Sequence, residues 1–358
     1  MHAIIMAGGS GTRFWPASRK SRPKQFLPLD HGRALVQSTV ERVKGLTGSD
    51  RTWIVTNPGQ VDGMLEALDG FPRDQVIVEP EARDTAPCVA LAAAAIEARD
   101  PGATMAVMPA DHLINPVDAF HGVLNQGAEL AADNETLVTF GIPPSYAATS
   151  FGYIELGNQH PSMHTAYEVL QFREKPDQTT AHTFLNSDQF LWNSGIFVWN
   201  FASLTNAMGS ANPDLLAATN TMLAASKAGD EAALNQAFCR CPKTSVDYAV
   251  MEKAERVVVI RADFNWNDLG SFAALGAIIE ADSYDNIILN ETLNAAVLHQ
   301  SERCTVYSEG PQTVALFGVQ DIVVVNTGDA LLVVPRDRCE DIKEMIQHLK
   351  RSNRQDLL

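Results

Sequence analysis

Short apolar runs and longer amphipathic stretches alternate over the first 142 residues. Five runs are apolar on both faces of a pleat, which predicts buried strands: AIIMA, TWIVT, QVIVEP, TMAVMPAD and LVTFGI. Apolar residues three and four positions apart predict the helices between them: LVQSTVERVKGL, QVDGMLEAL, APCVALAAAAIEA and DAFHGVLNQGAELAA. This alternation favours right-handed βαβ units in a mostly parallel sheet, whose ligands lie beyond the carboxyl ends of the strands.

The pattern changes twice along the rest of the chain. Between residues 150 and 280, Ala-rich helices are mixed with predicted strands at AYEVLQFREKP, GIFVWN and RVVVIRA. After Tyr284, five short β runs follow one another, AAVLHQ, CTVYSEG, TVALFG, IVVVNTG and ALLVVP, and CEDIKEMIQHLKR is predicted to form a terminal helix. We see no internal repeat in these runs. We therefore expect a larger domain, 1–282, and a small β-rich domain, 283–358.

Charge and cysteine usage narrow the choice of partners. The net charge of −16 at pH 7 means that the surface as a whole repels nucleic acid and anionic membranes, and we expect neither as a partner. We expect no signal peptide or transmembrane segment, because the longest apolar run is too short to cross a bilayer. The five cysteines are odd in number and contain no CxxC pair, which favours reduced thiols in a cytoplasmic protein.

The stretch MAGGSGTRFWPASRKSRPKQFLPL, Met6–Leu29, contains the first candidate chemistry. Small residues after a strand let backbone N–H groups approach phosphate oxygens. The spacing is not that of a Walker loop, and Phe14 stands where the dinucleotide fingerprint needs its third glycine. Five cations strengthen the case for a bound anion, although a solvated basic loop would account for Arg19 or Lys20; the five are Arg13, Arg19, Lys20, Arg22 and Lys24.

This stretch resembles the GGxGTRxxPxxxxxPK signature of the sugar-1-phosphate nucleotidyltransferases, and its PKQFL ending is similar to the mannose-1-phosphate guanylyltransferase branch. Six further motifs of that branch follow in order: EPEARDTAP, MPADH, FREKPD, WNSGIFVW, SVDYAVMEK and WNDLGSF. The resemblance covers the chain to about Ala281. It implies a Rossmann-like, GT-A-like α/β catalytic domain and a C-terminal domain similar to a short left-handed β-helix that contributes to a homodimer. Because the chain continues only to Leu358, we expect no isomerase domain of the kind found in bifunctional relatives.

The reaction implied by the resemblance is the attack of α-D-mannose 1-phosphate on the α-phosphorus of GTP, which gives GDP-mannose and diphosphate. The attacking phosphate is already an anion at neutral pH, so that no general base is required. The reaction instead needs charge neutralisation, in-line positioning and a divalent metal, here Mg²⁺. The lack of an obvious Ser/His or Cys/His arrangement agrees with this chemistry.

The resemblance also implies the role of each matching residue. The nucleotide is expected to contact Ala7, Gly8, Gly9, Ser10, Gly11, Thr12, Arg13, Lys24, Glu79, Pro80, Asp84, Thr85, Pro109 and Ala110. The sugar phosphate is expected to contact Gly152, Glu174, Lys175 and Asn193. Asp111 and Asp268 are the expected metal ligands, and the expected catalytic residues are Arg13, Lys24, Asp111, Lys175 and Asp268.

Several alternatives stay open at this point. Asp247 either orients groups near the metal or caps a helix, and His112 favours a structural role because Mg²⁺ prefers oxygen ligands. Asp84 stands where the family usually has Asn, and it either caps the next helix or alters the choice of base. Two other functions fit the same motifs: transfer to a different sugar 1-phosphate or from a different nucleotide, and a non-catalytic homologue that senses GDP-mannose.

Overall fold

The larger part of the molecule is built around a nine-stranded sheet that runs from the second residue of the chain to residue 261. The computed structural model describes residues 1–9, 11–277, 279–290 and 296–358. In the described residues the strands are β1 His2–Met6, β2 Thr52–Thr56, β3 Val76–Val78, β4 Met105–Pro109, β5 Leu113–Asn115, β6 Leu137–Ile142, β7 Gly152–His160, β8 Met163–Glu174, β9 Phe190–Trp199, β10 Val257–Arg261, β11 Asn265–Asn267, β12 Ile287–Asn290, β13 Ala296–His299, β14 Thr305–Ser308, β15 Val314–Phe317, β16 Ile322–Asn326 and β17 Leu331–Pro335. The helices are α1 Leu35–Thr47, α2 Val61–Ala67, α3 Thr85–Arg99, α4 Val117–Leu130, α5 Gln178–Asn186, α6 Phe201–Ala211, α7 Pro213–Ala228, α8 Glu231–Arg240 and α9 Ile342–Arg351.

The order of the strands in this sheet is β3-β2-β1-β4-β9-β6-β10-β8-β7. The first four strands run parallel, as the strand–helix alternation predicts. Strand β9 then enters antiparallel to both β4 and β6, and the β7–β8 hairpin adds further antiparallel pairs. The sheet is therefore mixed, and its parallel character is confined to the half that follows the βαβ pattern and to the β6–β10 pair.

The strands of the parallel half are buried on both faces. Ile4 packs with the Ala-rich helix α3 on one face, whereas Ala3 and Ile5 pack with α1 and α4 on the other. None of the helices in the described ranges combines the length and the hydropathy that a membrane crossing requires.

The C-terminal domain consists of stacked coils of equal length. Ile287 pairs with Thr305, and Thr305 pairs with Val323, so that successive strands are 18 residues apart. The same spacing joins Ala296 to Val314 in the second sheet. This arrangement agrees with the predicted β-helix-like fold. The 18-residue spacing does not stand out in the sequence because most equivalent positions differ in residue type, as Leu289, Tyr307 and Val325 do.

The two parts of the chain pack against each other through the stretch that follows the glycine loop. Phe14 and Trp15 are buried with Val323, Val325 and Ile346 in one apolar cluster. The opening stretch is therefore an interface between the domains as well as a candidate phosphate site. The predicted boundary at residue 282 stays a prediction.

Candidate active site

The glycine loop after β1 is held from inside the protein by buried polar side chains. Nε2 of Gln25 donates a hydrogen bond to the carbonyl of Ala7 over 2.8 Å, and the hydroxyl of Thr56 donates to the same oxygen over 3.1 Å. Gly8 and Gly9 are exposed, and their amides have no hydrogen-bond acceptor among the described residues. Exposed amides on a loop whose carbonyls are anchored inward suit the binding of an anion.

Two of the glycines are required by close approaches. A Cβ atom at Gly8 would lie 2.9 Å from Oε2 of Glu79. Gly11 has a φ of 56°, and a Cβ atom there would lie 2.8 Å from the backbone nitrogen of Lys24 and overlap its side chain. The loop therefore touches two other predicted site residues directly. Thr12 is exposed beside it, and Ser10 lies outside the described residues.

Lys24 joins the two predicted metal ligands. Its side chain is only 7% exposed, and its Nζ atom lies 2.8 Å from Oδ2 of Asp111 and 2.5 Å from the backbone oxygen of Asp268. The pairing of the short strands β5 and β11 explains why the two aspartates meet. Leu113 lies opposite Asn267, so that Asp111, just before β5, comes close to Asp268, just after β11. Residues 24, 111 and 268 thus meet at the carboxyl end of β4.

The two carboxylates differ in their electrostatic surroundings. Burial alone would raise the pKa of Asp111, but Lys24 and His112 outweigh it and hold this pKa below its ordinary value. Burial raises the pKa of Asp268. The charge of Lys24 acts to lower this pKa, and the charge of Asp111 acts to raise it further. A divalent cation between the two aspartates would relieve this repulsion.

The donor set at this position fits Mg²⁺. Both side chains offer carboxylate oxygens, and Mg²⁺ is commonly bound by one or two carboxylates together with water and substrate phosphates. In the part of the chain that the structure describes, no group of three or more His, Cys, Asp or Glu side chains is arranged to hold a metal by itself. The residues present therefore suit a metal whose coordination is completed by a nucleotide.

The contacts of His112, next to Asp111, suit a structural role. Its Nδ1 atom accepts a hydrogen bond from Nε1 of Trp266 over 3.1 Å, and the two rings meet edge to face. Burial lowers the pKa of His112 to about 4, so that the imidazole is neutral near pH 7. This agrees with the expectation from the sequence.

Glu79 is a buried carboxyl group beneath the glycine loop. It is 5% exposed, and burial raises its pKa to about 7, although a hydrogen bond with the Cys88 thiol acts in the opposite direction. Pro80 follows it and is half-buried. Pro109 and Ala110 lie across the loop, where the Ala110 amide donates to the carbonyl of Met6 over 3.0 Å.

Asp84 has the geometry of a helix cap. Its backbone has a φ of 70°, and its carboxylate accepts a hydrogen bond from the amide of Thr85, the first residue of α3, over 2.8 Å. The hydroxyl of Thr85 in turn accepts from the amide of Val246 over 2.9 Å. A hydrogen bond thus supports the capping alternative. An influence of Asp84 on the choice of base stays a prediction.

The predicted sugar residues form a second cluster. A Cβ atom at Gly152 would overlap Oε2 of Glu174 and lie 3.5 Å from the Cβ atom of Asn193. Nζ of Lys175 lies 2.6 Å from Oε1 of Glu174, and the backbone of Lys175 has a strained φ of 46°. Nδ2 of Asn193 donates to Oδ1 of Asp247 over 2.7 Å. Residues from three of the motifs therefore meet in one place, together with Gly152.

Asp247 belongs to this second cluster. Burial and the charge of Glu174 raise its pKa, whereas the hydrogen bond from Asn193 and the charge of Lys175 act to lower it. It begins a π-helical turn, Asp247–Met251, of a kind that is frequent at functional sites. No side-chain cap hydrogen bond is made at the start of this turn in the described residues, and the contact with Asn193 places Asp247 among the predicted sugar residues. The other alternative from the sequence, orientation of groups near the metal, stays a prediction.

The two clusters lie side by side in the sheet. Strand β9 runs antiparallel to β4, with Val107 opposite Phe197. A Cβ atom at Gly195 would lie 3.9 Å from Cγ of Pro109, so that Asn193 is close to the end of β4 that leads into Asp111. The predicted sugar-phosphate residues and the predicted nucleotide residues therefore lie on neighbouring strands of one sheet.

The cations of the opening stretch do not all lie at the candidate site. This corrects the interpretation that all five add to the case for a bound anion. Arg19 pairs with Asp329 over 3.0 Å, and Arg22 pairs with Glu309 over 2.7 Å. Arg13 is half-buried, has no ion-pair partner among the described residues and acts electrostatically on Asp268. Lys20 is exposed. Of the five cations, Arg13 and Lys24 are the two that act on the predicted metal ligands, and they are the candidate phosphate contacts.

Sequence reasoning missed the residues that fix the loop. Gln25 and Gln60 form a buried amide pair over 3.0 Å beneath the glycines. Uncharged amides have no distinctive spacing, although the position of Gln25 directly after Lys24 offered a signal. These residues are candidates for keeping the loop in its anion-binding shape.

Comparisons with known proteins agree with this geometry. The family model described as nucleotidyl transferase matches residues 2–284, and the model described as MannoseP isomerase/GMP-like beta-helix domain matches residues 294–349. The chain is 37% identical to a mannose-1-phosphate guanylyltransferase of Klebsiella pneumoniae, over 99% of this chain and 74% of that protein. It is 38% identical to one of Escherichia coli, over 98% of this chain and 74% of that protein. The crystal structure of a protein named mannose-1-phosphate geranyltransferase, from Thermus thermophilus, matches with a TM-score of 0.88 and 33% identity, over 98% of this chain and 99% of that one.

Proposed function

The chain belongs to the nucleotidyl transferase family and, within it, to the mannose-1-phosphate guanylyltransferases, and we propose that it converts GTP and α-D-mannose 1-phosphate to GDP-mannose and diphosphate. The observation that carries this proposal is the meeting of Lys24, Asp111 and Asp268 beside the exposed amides of the glycine loop. The adjacent cluster around Glu174 and Asn193 supports a sugar phosphate as the second substrate.

The glycine loop and Arg13 bind the triphosphate in this mechanism. Backbone amides of Gly8, Gly9 and Gly11 donate to phosphate oxygens, and the planar guanidinium of Arg13 can bridge two of them. Lys24 neutralises charge at the α-phosphate as the bond to diphosphate breaks. Because Lys24 is buried and already held by two oxygens, little reorganisation is needed at the moment of reaction.

Asp111 and Asp268 would hold the Mg²⁺ ion. When bound, Mg²⁺ supplies charge neutralisation and makes the α-phosphorus a better electrophile. The low pKa of Asp111 keeps this ligand ionised at the pH of the reaction. Lys24 holds the Asp111 carboxylate in place through their ion pair of 2.8 Å.

The second cluster positions the attacking phosphate. Glu174 accepts hydrogen bonds from sugar hydroxyls, and Asn193, oriented by Asp247, provides a further polar contact. Lys175 binds the phosphate of the sugar, for which it exchanges or shares its present contact with Glu174. The attacking oxygen is thereby held in line with the α-phosphorus, which lowers the entropy cost of the reaction.

Glu79 is proposed to recognise the base. Guanine presents neighbouring N–H donors along one edge, and a buried carboxylate that accepts them would be left unpaired by a base without them. Glu79 is buried and lies directly under Gly8, at the carboxyl end of β3. This arrangement supports a choice of GTP over other nucleotides.

Release of diphosphate by the purified protein tests the proposal. The assay combines Mg²⁺ with four nucleoside triphosphates and with the 1-phosphates of mannose, glucose and galactose. We expect the highest rate with GTP and mannose 1-phosphate and loss of the rate with EDTA. A maximum with another pair of substrates would refute the proposed specificity and leave the proposed mechanism standing. No turnover by a protein that still binds GDP-mannose would instead indicate a sensing function.

We further propose that the protein works in the cytoplasm as a homodimer. All five cysteines are free thiols, which supports a reducing compartment. Large apolar side chains are exposed on the C-terminal domain, among them Phe317, Leu331 and Val333, and they support self-association there. Light scattering of the purified chain measures the oligomeric state, and a monomer would contradict the dimer.

A further inference from the structure

The stretch between the glycine loop and Lys24 is held by the C-terminal domain at three points. We refer to residues 12–23 as the bridging segment. Nε1 of Trp15 donates to the carbonyl of Leu357 over 2.7 Å. Arg19 donates to both oxygens of Asp329 over 3.0 and 3.2 Å, and Nη1 of Arg22 lies 2.7 Å from both oxygens of Glu309. The segment that connects Arg13 to Lys24 is therefore attached to the other domain along its length.

The two arginines are part of one closed turn. The amide of Arg19 donates to the carbonyl of Arg22 over 2.9 Å, and the amide of Arg22 donates back over 3.1 Å. Just before the turn, the hydroxyl of Ser18 donates to the carbonyl of Gly11 over 2.7 Å. A displacement of the turn is thus passed to the glycine loop on one side and, through Pro23, to Lys24 on the other.

One partner of each ion pair is shielded from water and the other is more exposed: Asp329 is 57% exposed and Arg22 is 39% exposed. The side chain of Glu309 is 13% exposed, and its carboxylate also accepts a hydrogen bond from the hydroxyl of Tyr307. Arg19 is largely buried and lies over the ring of Trp15. Pairs in such surroundings are screened by salt less than pairs on an open surface, so that they can hold the turn in a defined position.

A second line of contacts leads from the same domain to the other side of the site. The ring of Tyr307 lies 5.7 Å from that of Phe272, which follows Asp268 by four residues. Phe272 lies 4.7 Å from Phe14, and Nζ of Lys24 lies 5.7 Å from the centre of the Phe14 ring. The C-terminal domain therefore contacts the segments on both sides of the Lys24–Asp268 hydrogen bond.

We propose that Glu309 and Asp329 are positioning residues for the transfer reaction: by holding Arg22 and Arg19 they fix Lys24 against Asp111 and the backbone of Asp268. This inference rests on the proposed function. Neither acidic residue is a candidate substrate contact, so that their loss misplaces Lys24 without removing a binding group. The expected effect is on kcat, with little change in the KM for mannose 1-phosphate.

The test uses the full-length variant Glu309→Gln, which keeps the shape of the side chain and removes its charge. We expect kcat to fall by roughly tenfold or more, because small misplacements of catalytic groups have effects of this order, while the KM for mannose 1-phosphate changes by less than about twofold. In a double-mutant cycle with Arg22→Gln, the loss in the double variant should be clearly smaller than the product of the two single losses. Asp321→Asn is the matched control, because Asp321 pairs with Arg303 over 2.7 and 2.8 Å inside the C-terminal domain alone.

Amide hydrogen exchange over residues 11–26 provides a readout that does not depend on turnover. Exchange should be faster in Glu309→Gln and unchanged in Asp321→Asn. Unchanged exchange and kcat in Glu309→Gln would overturn the inference, as would equal losses in the control variant. Absence of turnover in the wild-type protein would refute the proposed function instead, and the exchange data would still decide whether Glu309 holds the segment.

Discussion

The buried carboxyl group of Glu79 makes the stability of the protein depend on pH in a defined way. Its pKa is about 7 in the folded state and about 4.5 in the unfolded chain. Between these values the unfolded state loses its proton first, so that folded-state stability falls as pH rises from the lower pKa to the upper one. The cost reaches its full value above about pH 7, where the carboxylate is ionised and, among the described residues, burial dominates its surroundings.

The magnitude follows from the shift. One pKa unit corresponds to about 1.4 kcal/mol, so that Glu79 lowers the free energy of unfolding by roughly 3 kcal/mol at high pH. About 2 kcal/mol of this decrease develops between about pH 5.5 and about pH 8. Glu79→Gln removes this dependence while keeping the size of the side chain. Urea unfolding at the two pH values gives the free energy of unfolding of each protein. The free energy of unfolding of the variant minus that of the wild type should be about 2 kcal/mol larger at about pH 8 than at about pH 5.5.

The same substitution should affect nucleotide binding. Ionisation of Glu79 creates the acceptor that the guanine N–H groups need, so that the wild-type KM for GTP should fall as pH rises through about 7. The variant should lack this dependence and discriminate less between GTP and ATP. Glu66→Gln is the control, because Glu66 is an exposed glutamate. An equal stability difference between wild type and Glu79→Gln at both pH values would refute the reasoning.

Three further substitutions test the rest of the site. Asp111→Asn should reduce diphosphate release by about a thousandfold or more and leave the circular dichroism spectrum and most GTP binding intact; normal turnover would remove Asp111 from the metal site. Lys175→Ala should raise the KM for mannose 1-phosphate far more than that for GTP, and equal increases in steady-state assays would contradict its assigned role. Gly11→Ala should cost about 2 kcal/mol or more in urea unfolding and lower kcat, because the new Cβ atom would collide with Lys24. Gly9→Ala has open space and is the control for the stability measurement alone, since Gly9 belongs to the loop proposed to bind phosphate.

The parallel half of the sheet was predictable because its strands are apolar on both faces and alternate with amphipathic helices. The antiparallel insertion of β9 between β4 and β6 was not, since its apolar run GIFVWN is equally compatible with either direction. Strands β5 and β11 have three residues each, too few to produce a recognisable period, although their pairing is what brings residue 268 to residue 111.

Within the site, the sequence alone could not separate the cations by role. Arg13, Arg19 and Arg22 have the same charge and lie within ten residues, and only the fold reveals that Asp329 and Glu309 take two of them. The resemblance to a known family pointed to Lys24, Asp111 and Asp268, because a motif preserves the residue type where chemistry requires it; the fold brings the three together, and their roles stay predictions. It contained no information about the partners of residues outside the motifs.

The equal coils of the C-terminal domain imply that this domain has a restricted length. Each coil adds 18 residues and advances the stack by about 4.8 Å, the spacing between neighbouring strands. Helix α9 and the last residues follow the last strand of the stack and contact Trp15. An added or deleted coil would displace α9 and the last residues by about 4.8 Å relative to Trp15. Trp15 could then no longer donate its hydrogen bond to the Leu357 carbonyl. Variation in length is therefore expected in the turns that project from a coil, and not in the number of coils.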